Sequence, residues 1–127
     1  MDRGWLERWI DAYERAWRTQ GTDSLAELFA AEIEYLPGPF EQPIRGLDAL
    51  AGFWEAERQS HEERFSFAYE ILAVEGSRGV ARIDVRYQAP RDQRYLDLWI
   101  VESDDDGKCR HFEEWPFWPE QSRAAGD

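Results

Sequence analysis

Cysteine and histidine are scarce in this sequence, which limits the chemistry it can carry. Cys109 is the one cysteine, and His61 and His111 are the two histidines among 127 residues. A single cysteine cannot close an intrachain disulfide, and the two histidines are too far apart in the sequence to form a metal motif. We therefore expect a cytoplasmic protein that holds no metal and needs no cofactor.

Basic residues and long apolar runs are also few. Lys and Arg number 15 against 27 Asp and Glu, which leaves a net charge of -12. No basic stripe offsets this charge locally, so phosphate backbones and anionic lipid surfaces would be repelled. No apolar segment approaches the ~20 residues that a membrane span needs. The sequence therefore argues against nucleic acid and membranes as partners.

Aromatic residues, in contrast, are abundant. The chain has seven Trp, seven Phe and five Tyr, more than a core of this size requires. Aromatic walls often line small-molecule pockets or subunit interfaces, so we expect one or both here. The length suits one domain. We assign that domain to residues 1–119 and expect a flexible tail at 120–127.

Three helices are predicted in the first half of the chain. The first follows an amphipathic stripe with a spacing of three to four residues, formed by Trp5, Leu6, Trp9, Ile10, Tyr13, Ala16 and Trp17. A second, short helix runs through Leu25, Leu28 and Phe29, with Thr22 to Ser24 as its cap. A third begins at Leu47, after a short strand at residues 32–36 and a proline-rich loop at 37–43.

The second half alternates with a period of two, which is typical of strands. Strands are predicted at residues 65–71, 81–87 and 95–102, and a last one follows an Asp-Gly turn at 104–107. The resulting class is α+β, with the helices covering one face of a curved antiparallel sheet. Several strands are apolar on both faces, so we also predict a homodimer through the outer sheet face.

A pair of carboxylates in the last strand is the main candidate for chemistry. Glu113 and Glu114 are adjacent among aromatic residues, so one of them must face the interior. Asp97 lies between Tyr95 and Trp99 on one strand face, where burial would raise its pKa and suit it for a general acid. The alternative for Glu114 is an ordinary glutamate on an edge strand, and the alternative for Asp97 is a structural aspartate.

Arg82 and Asp84 are two residues apart in one strand and therefore share a face. A guanidinium can orient a carboxylate or a substrate oxygen at that spacing. The other interpretation is a solvated face opposite Ala81, Ile83 and Val85. His61 is expected to be exposed, and His111 with Trp115 is expected to contact a second subunit.

The order of elements resembles that of the nuclear transport factor 2-like superfamily, in particular its SnoaL-like branch. Leu28-Phe29 before the first strand, a proline loop closed by Gly46 and a final hairpin with Asp-Gly-Lys carry the resemblance. It covers nearly the whole chain. It implies a cone-shaped, cystatin-like roll of helices on a curved sheet, with an internal pocket and often with dimerisation through the outer face.

Two catalytic branches of that superfamily can be compared residue by residue. The resemblance to limonene-epoxide hydrolases places Arg82 and Asp84 at the strand pair, Glu114 at the last-strand carboxylate and Tyr35 near the first-strand tyrosine. Pro37 stands where that branch has its water-binding asparagine.

The resemblance to ketosteroid isomerases places Tyr13 and Asp97 at the oxyanion hole. Leu36 stands where that branch has its catalytic base. Each branch therefore has one catalytic position at which this chain lacks the side chain that the branch uses.

These patterns and the resemblance lead to one hypothesis and one alternative. The hypothesis is a conical pocket for an apolar, oxygenated small molecule, with acid-base chemistry of isomerase, cyclase, dehydratase or epoxide-hydrolase type by Asp97, Arg82, Asp84 and Glu114. The alternative is a non-catalytic ligand-binding or protein-interaction domain of the same fold. The expected pocket lining consists of Tyr13, Trp17, Tyr35, Phe53, Trp54, Phe67, Tyr69, Trp99 and Phe112.

Overall fold

The computed structural model describes residues 1–58 and 63–122. Its helices are α1 (Arg3–Arg18), α2 (Leu25–Leu28) and α3 (Leu47–Glu57), and a 3-10 turn follows at Pro119–Gln121. Its strands are β1 (Phe29–Leu36), β2 (Ile44–Arg45), β3 (Arg64–Glu75), β4 (Arg78–Ala89), β5 (Gln93–Ser103) and β6 (Cys109–Phe117). His61, predicted to be exposed, and the last five residues of the predicted tail lie outside the described residues.

The first helix forms where the amphipathic stripe predicts it. The Asp2 side chain accepts a hydrogen bond from the backbone N–H of Trp5 at 2.8 Å and so caps the N-terminus. Arg15 and Arg18 lie in the last turn, where positive charge favours the helix dipole. The buried stripe faces the sheet, and its residues are Leu6, Trp9, Ile10, Tyr13 and Ala16.

The second helix is shorter than its sequence pattern predicts. Ser24 is the residue before it and makes no side-chain capping bond, so the predicted cap is absent. Phe29, expected at the end of this helix, instead begins β1 and pairs with Cys109 of β6. The Phe29 side chain is fully buried, and its burial in the core outweighs the local preference for another helical turn.

The six strands form one curved, unclosed sheet in the order β2-β1-β6-β5-β4-β3. The four long strands β3 to β6 are antiparallel, as predicted, but β1 runs parallel to β6. The sheet is therefore mixed and not wholly antiparallel. The two-residue strand β2 was not predicted, since two residues are too few to show a period.

The hydrophobic core lies between α1 and the inner face of the sheet. Phe112 and Trp99 pack there edge to face with ring centroids 5.1 Å apart, and Trp9 donates from its indole nitrogen to the Leu28 carbonyl at 3.0 Å. Close approach of α1 depends on Gly79 of β4, where a Cβ atom would lie 2.5 Å from Leu6 Cδ2. A larger residue at that position would push the helix off the sheet.

The Asp-Gly turn between β5 and β6 forms as predicted. Asp104 Oδ1 accepts hydrogen bonds from the backbone N–H groups of Asp106 and Lys108, both at 2.9 Å, and Gly107 takes a positive φ of 77°. In the described part of the chain, no helix has both the length and the apolar character to cross a membrane.

Candidate functional site

A cavity of about 410 Å³ lies between the inner face of the sheet, the C-terminal half of α1, α3 and the loop after β1. Ring systems and carboxyl groups make up most of its wall. The described residues that line it are Tyr13, Glu14, Trp17, Tyr35, Pro37, Glu41, Phe53, Glu57, Glu63, Phe65, Phe67, Val85, Tyr87, Tyr95, Asp97, Trp99, Glu114, Pro116 and Trp118.

Asp97 of β5 and Glu114 of β6 meet on the floor of this cavity. Glu114 is the register partner of Trp99, and Asp97 is the partner of Pro116, so the two carboxyls are diagonal neighbours on one face. Asp97 is 6% exposed, and Glu114 keeps accessible surface only because it faces the cavity. Alternation along β6 turns Glu113 to the opposite face, which leaves Glu114 as the inward glutamate.

The two carboxyls are hydrogen-bonded to one another. Burial raises the pKa of Glu114 well above its ordinary value, and the charge of Asp97 raises it further. Burial also raises the pKa of Asp97, to about 6, against hydrogen bonds with Glu114 and Trp99 that lower it. Glu114 therefore holds its proton more tightly than Asp97, which is the first of the pair to ionise as the pH rises. The floor of the cavity presents one acid and one base.

Two tyrosine hydroxyls lie beside this pair. The Tyr13 and Tyr35 oxygens are 3.0 Å apart and both residues line the cavity. Burial is the main reason that the pKa of each hydroxyl is well above the ordinary value, and the Glu114 carboxyl adds to the shift in both. Both hydroxyls thus stay protonated. Since one donates to the other, the second keeps a proton that can be donated elsewhere.

Among the described residues, four further carboxylates that the sequence patterns did not identify line the cavity. They are Glu14 of α1, Glu41 of the proline loop, Glu57 at the end of α3 and Glu63 before β3. Glu63 accepts a hydrogen bond from the Trp17 indole at 2.8 Å. Glu57 lies four residues after Phe53, on the same helix face, so helical spacing could have indicated it. Glu41 and Glu63 belong to segments without a period.

Arg82 and Asp84, which were predicted to act in this site, do not line the cavity. Ala81, Ile83 and Val85 of β4 are buried, so alternation turns Arg82 and Asp84 to the outer face. Their side chains are 58% and 44% exposed. Arg82 pairs loosely with Glu70 at 3.8 Å, and Asp84 receives two hydrogen bonds from Arg94 at 3.2 and 3.0 Å. Neither reaches Asp97 or Glu114.

Three residues expected in the lining are packing residues instead. Trp54 and Phe112 are 1% and 0% exposed and lie within the core behind the cavity wall. Tyr69 lies beneath α1, where its hydroxyl donates to the Asp11 carboxylate at 3.0 Å. The other six predicted lining residues do face the cavity: Tyr13, Trp17, Tyr35, Phe53, Phe67 and Trp99.

Several aromatic lining residues were missed by sequence reasoning. Phe65 belongs to the same alternating run as Phe67, and Tyr87 and Tyr95 continue the inner faces of β4 and β5. The period of two could have identified these three. Trp118 follows the last strand, and only its edge-to-face contact with Tyr95, at 6.1 Å between ring centroids, brings it to the cavity.

On the outer face, His111 lies between two carboxylates. Its Nδ1 is 2.9 Å from Glu34 and its Nε2 is 2.9 Å from Glu113. Partial burial acts to raise the pKa of Glu113, but hydrogen bonds from His111 and Trp115 lower it overall. Neither His111 nor Glu113 faces the cavity, so this cluster is separate from the candidate site.

Comparisons with known proteins agree with this architecture. The family model described as SnoaL-like domain matches residues 7–112. No curated protein matches the sequence. An LEH-like epoxide hydrolase from M. tuberculosis is similar in structure, with a TM-score of 0.63, 16% identity, and coverage of 87% of this chain and 80% of that one.

Two further solved structures are similar. An uncharacterized protein with a cystatin-like fold from Caulobacter vibrioides has a TM-score of 0.69 and 16% identity, with 96% of this chain and 92% of that chain covered. A SnoaL-like family protein from Agrobacterium tumefaciens str. C58, for which isomerase activity has been suggested, has a TM-score of 0.67 and 19% identity, with 90% and 98% covered. At these identities the similarity is one of fold.

Proposed function

Since the chain belongs to the SnoaL-like domain family, within the nuclear transport factor 2-like superfamily, we propose that it binds a small, mainly apolar, oxygenated molecule in its cavity and transfers protons on it. The observation that supports this proposal is the buried Asp97–Glu114 pair on the floor of an aromatic cavity. A cavity of about 410 Å³ lies within the range of about 300–1,000 Å³ that is common for small-molecule sites.

The two carboxyls have complementary roles in this proposal. Asp97 is the base, because it is the first of the pair to ionise, and Glu114 is the acid, because burial and the charge of Asp97 make it hold its proton more tightly. The carboxylate of Asp97 removes a proton from a carbon next to a carbonyl group. The Glu114 carboxyl gives its proton to the carbonyl oxygen, and an enol results. Asp97 then returns its proton to a different carbon of the conjugated enol while Glu114 takes back the proton from the enol oxygen, so that the carbonyl group reforms with the double bond moved.

The tyrosine pair supports the same substrate class. The free hydroxyl proton of the Tyr13–Tyr35 pair can be donated to a substrate oxygen that lies near Glu114. Such donors stabilise negative charge that develops on oxygen. The aromatic wall excludes water, which strengthens both interactions.

Isomerase or cyclase chemistry is favoured over epoxide hydrolysis. One similar structure is described as an epoxide hydrolase and another as a suggested isomerase. In this chain Arg82 and Asp84 are exposed on the outer face, and Pro37 lines the cavity with no side-chain group that could hold a water molecule. Proton transfer by Asp97 and Glu114 requires neither feature.

The test combines a binding screen with an exchange measurement. Terpenoid, steroid and polyketide-like carbonyl compounds are screened by thermal shift, since a ligand of the folded state raises the melting temperature. Hits are then incubated in D2O with the protein, and deuterium uptake next to the carbonyl is followed by NMR. Uptake that Asp97→Asn abolishes while binding persists supports the proposal. Binding without uptake by the wild type would favour the non-catalytic alternative.

We also propose that the protein is a homodimer through the outer sheet face. Register pairs place an apolar row there, formed by Val80, Leu96, Leu98, Ile100, Trp115 and Phe117. Leu96 and Phe117 are 41% and 53% exposed, and an exposed apolar sheet face is typical of an interface. The alternative function, an interaction domain without a ligand, would use the same face.

A further inference from the structure

The cavity wall carries negative charge in excess, and this excess indicates the class of ligand. Among the described lining residues, six bear carboxyl groups: Glu14, Glu41, Glu57, Glu63, Asp97 and Glu114. No Lys, Arg or His lines the cavity in residues 1–58 and 63–122. A cleft lined by one sign of charge raises the local concentration of ions of the opposite sign.

The arginines that lie nearest are held in the wall and do not face the cavity. Arg18 bonds to Glu14 at 2.8 Å and to the Phe65 carbonyl at 3.0 Å, with its guanidinium 3.9 Å above the Phe65 ring. Arg58, with its side chain 6% exposed, donates to Glu55 and to the carbonyl of Thr19. Glu14 is thus balanced by Arg18. For Glu41 and Glu57, no basic partner occurs within the described ranges.

Aromatic rings complete a surface that suits a cation. Tyr87, Tyr95 and Trp118 follow one another in edge-to-face contacts, each with ring centroids 6.1 Å apart. Trp17 lines the same cavity and donates from its indole nitrogen to Glu63 at 2.8 Å. Faces of such rings attract ammonium groups through their quadrupole, most strongly where water is excluded.

The floor of the cavity offers an acceptor without a donor. Asp97 is 6% exposed, and its Oδ1 atom accepts no hydrogen bond from a described N–H or hydroxyl group. The Glu114 carboxyl is the group that interacts with it. A buried acceptor is stabilised when a ligand supplies a donor. A ligand with an N–H or O–H donor in addition to an oxygen acceptor would therefore match both the Asp97 carboxylate and the donors at Tyr13, Tyr35 and Glu114.

From the aromatic wall, the unbalanced carboxylates Glu41 and Glu57 and the open acceptor on Asp97, we infer that the ligand is an organic cation: a small oxygenated molecule with a protonated amine. This inference rests on the proposed function and narrows its ligand class to molecules that carry a positive charge. The ammonium group lies among the rings and carboxylates near the mouth, and the oxygen function lies at Tyr13, Tyr35 and Glu114.

The experiment uses three probes of one shape and different charge: 3-phenylpropylammonium, 3-phenylpropan-1-ol and 3-phenylpropanoate. Trp17, Trp99 and Trp118 line the cavity, so binding to the full chain is followed by tryptophan fluorescence and by calorimetry. We expect the ammonium probe to bind about fivefold to tenfold more tightly than the alcohol. The difference should shrink as salt is raised, since exposed charges are screened.

Two paired variants separate the cavity from the overall charge of the chain. Glu41→Gln with Glu57→Gln should remove most of the preference for the ammonium probe. Glu75→Gln with Asp105→Asn changes the net charge by the same amount at exposed positions outside the cavity and should leave the preference intact.

The inference is overturned if the alcohol binds as tightly as the ammonium probe, or if both paired variants lose the preference equally. If the alcohol binds and the ammonium probe binds no more tightly, the proposed function would stand, and only the inference of a cationic ligand would fail. Failure of all three probes to bind would count against both.

Discussion

The hydroxyl oxygens of Tyr13 and Tyr35 lie 3.0 Å apart in the cavity wall, although the two residues are 22 positions apart in the sequence. One is supplied by α1 and the other by β1, so this hydrogen bond joins the helix layer to the sheet. It also uses one of the two hydroxyl protons, so that the other remains available beside Glu114.

Tyr13→Phe and Tyr35→Phe should each lower the free energy of unfolding by about 1–2 kcal/mol, because each leaves a buried hydroxyl without its partner. The double variant should lose less than the sum, since no unpaired hydroxyl remains. Urea unfolding of the four proteins in a double-mutant cycle measures this coupling. Strictly additive losses would show that the two hydroxyls act independently.

The pKa of Asp97, raised to about 6 from 3.8, predicts how stability depends on pH. The folded protein binds this proton more tightly than the unfolded chain. The ionised form therefore destabilises the fold, by up to about 3 kcal/mol above pH 6, and the penalty disappears below about pH 4. Asp97→Asn should consequently be more stable than the wild type at neutral pH but not at pH 4.

Urea unfolding from pH 4 to pH 8 checks this difference. Asp84→Asn is the matched control, because its carboxylate is 44% exposed on the outer face, and it should show no comparable rise. A flat difference between Asp97→Asn and the wild type across this range would contradict the raised pKa.

Proton transfer should depend on both floor carboxyls. Asp97→Asn and Glu114→Gln should each reduce deuterium uptake into a bound carbonyl compound by about 100-fold or more, since each removes a base or an acid from the reacting atoms. Arg82→Gln should change uptake little and stability by less than about 1 kcal/mol, because its ion pair with Glu70 is exposed. If Arg82→Gln lost as much deuterium uptake as Asp97→Asn or Glu114→Gln, Arg82 would have a catalytic role despite its exposed position.

Two phenylalanines provide a matched test of the core. Phe112 is 0% exposed and Phe40 is 100% exposed. Phe112→Ala should cost about 3–5 kcal/mol, because it removes buried ring surface and leaves a void, while Phe40→Ala should cost almost nothing. Thermal or urea unfolding measures both. A similar cost for the two variants would mean that Phe40 is covered in solution, as it would be in an oligomer.

The proposed homodimer predicts a change of mass on substitution of the outer apolar row. Leu98→Lys places a charge at the centre of that row, opposite Trp115 in the register, and should produce a monomer in sedimentation velocity. Arg86→Lys, on the same sheet face but outside the apolar row, is the control and should leave the mass unchanged. A monomeric wild type at micromolar concentration would refute this interface.

Local pattern was sufficient for much of the fold. The stripe from Trp5 to Trp17 predicted α1, and alternation predicted the four long strands and required one of Glu113 and Glu114 to face inward. The parallel pairing of β1 with β6 could not be inferred in this way, because it joins segments about 80 positions apart and leaves no period in either of them.

The candidate site was predicted less completely, for two reasons. Arg82 and Asp84 were assigned to it from a family motif, although the apolar alternation of Ala81, Ile83 and Val85 already indicated the outer face. Glu41 lies in the proline-rich loop and Glu63 lies immediately before β3, and both reach the cavity only through tertiary packing. The sequence shows that these residues are acidic but does not show that they line a cavity.

The neighbouring positions of β1 and β6 have a consequence for synthesis of the chain. The strand order gives β1 and β2 no contact with β3, β4 or β5 except through β6. While the ribosome has not yet released residues 109–117, β1 and β2 can pack on the helices but cannot join the strands β3 to β5, and the floor of the cavity lacks Glu114. One strand, β6, thus both links the two parts of the sheet and supplies the acid of the site.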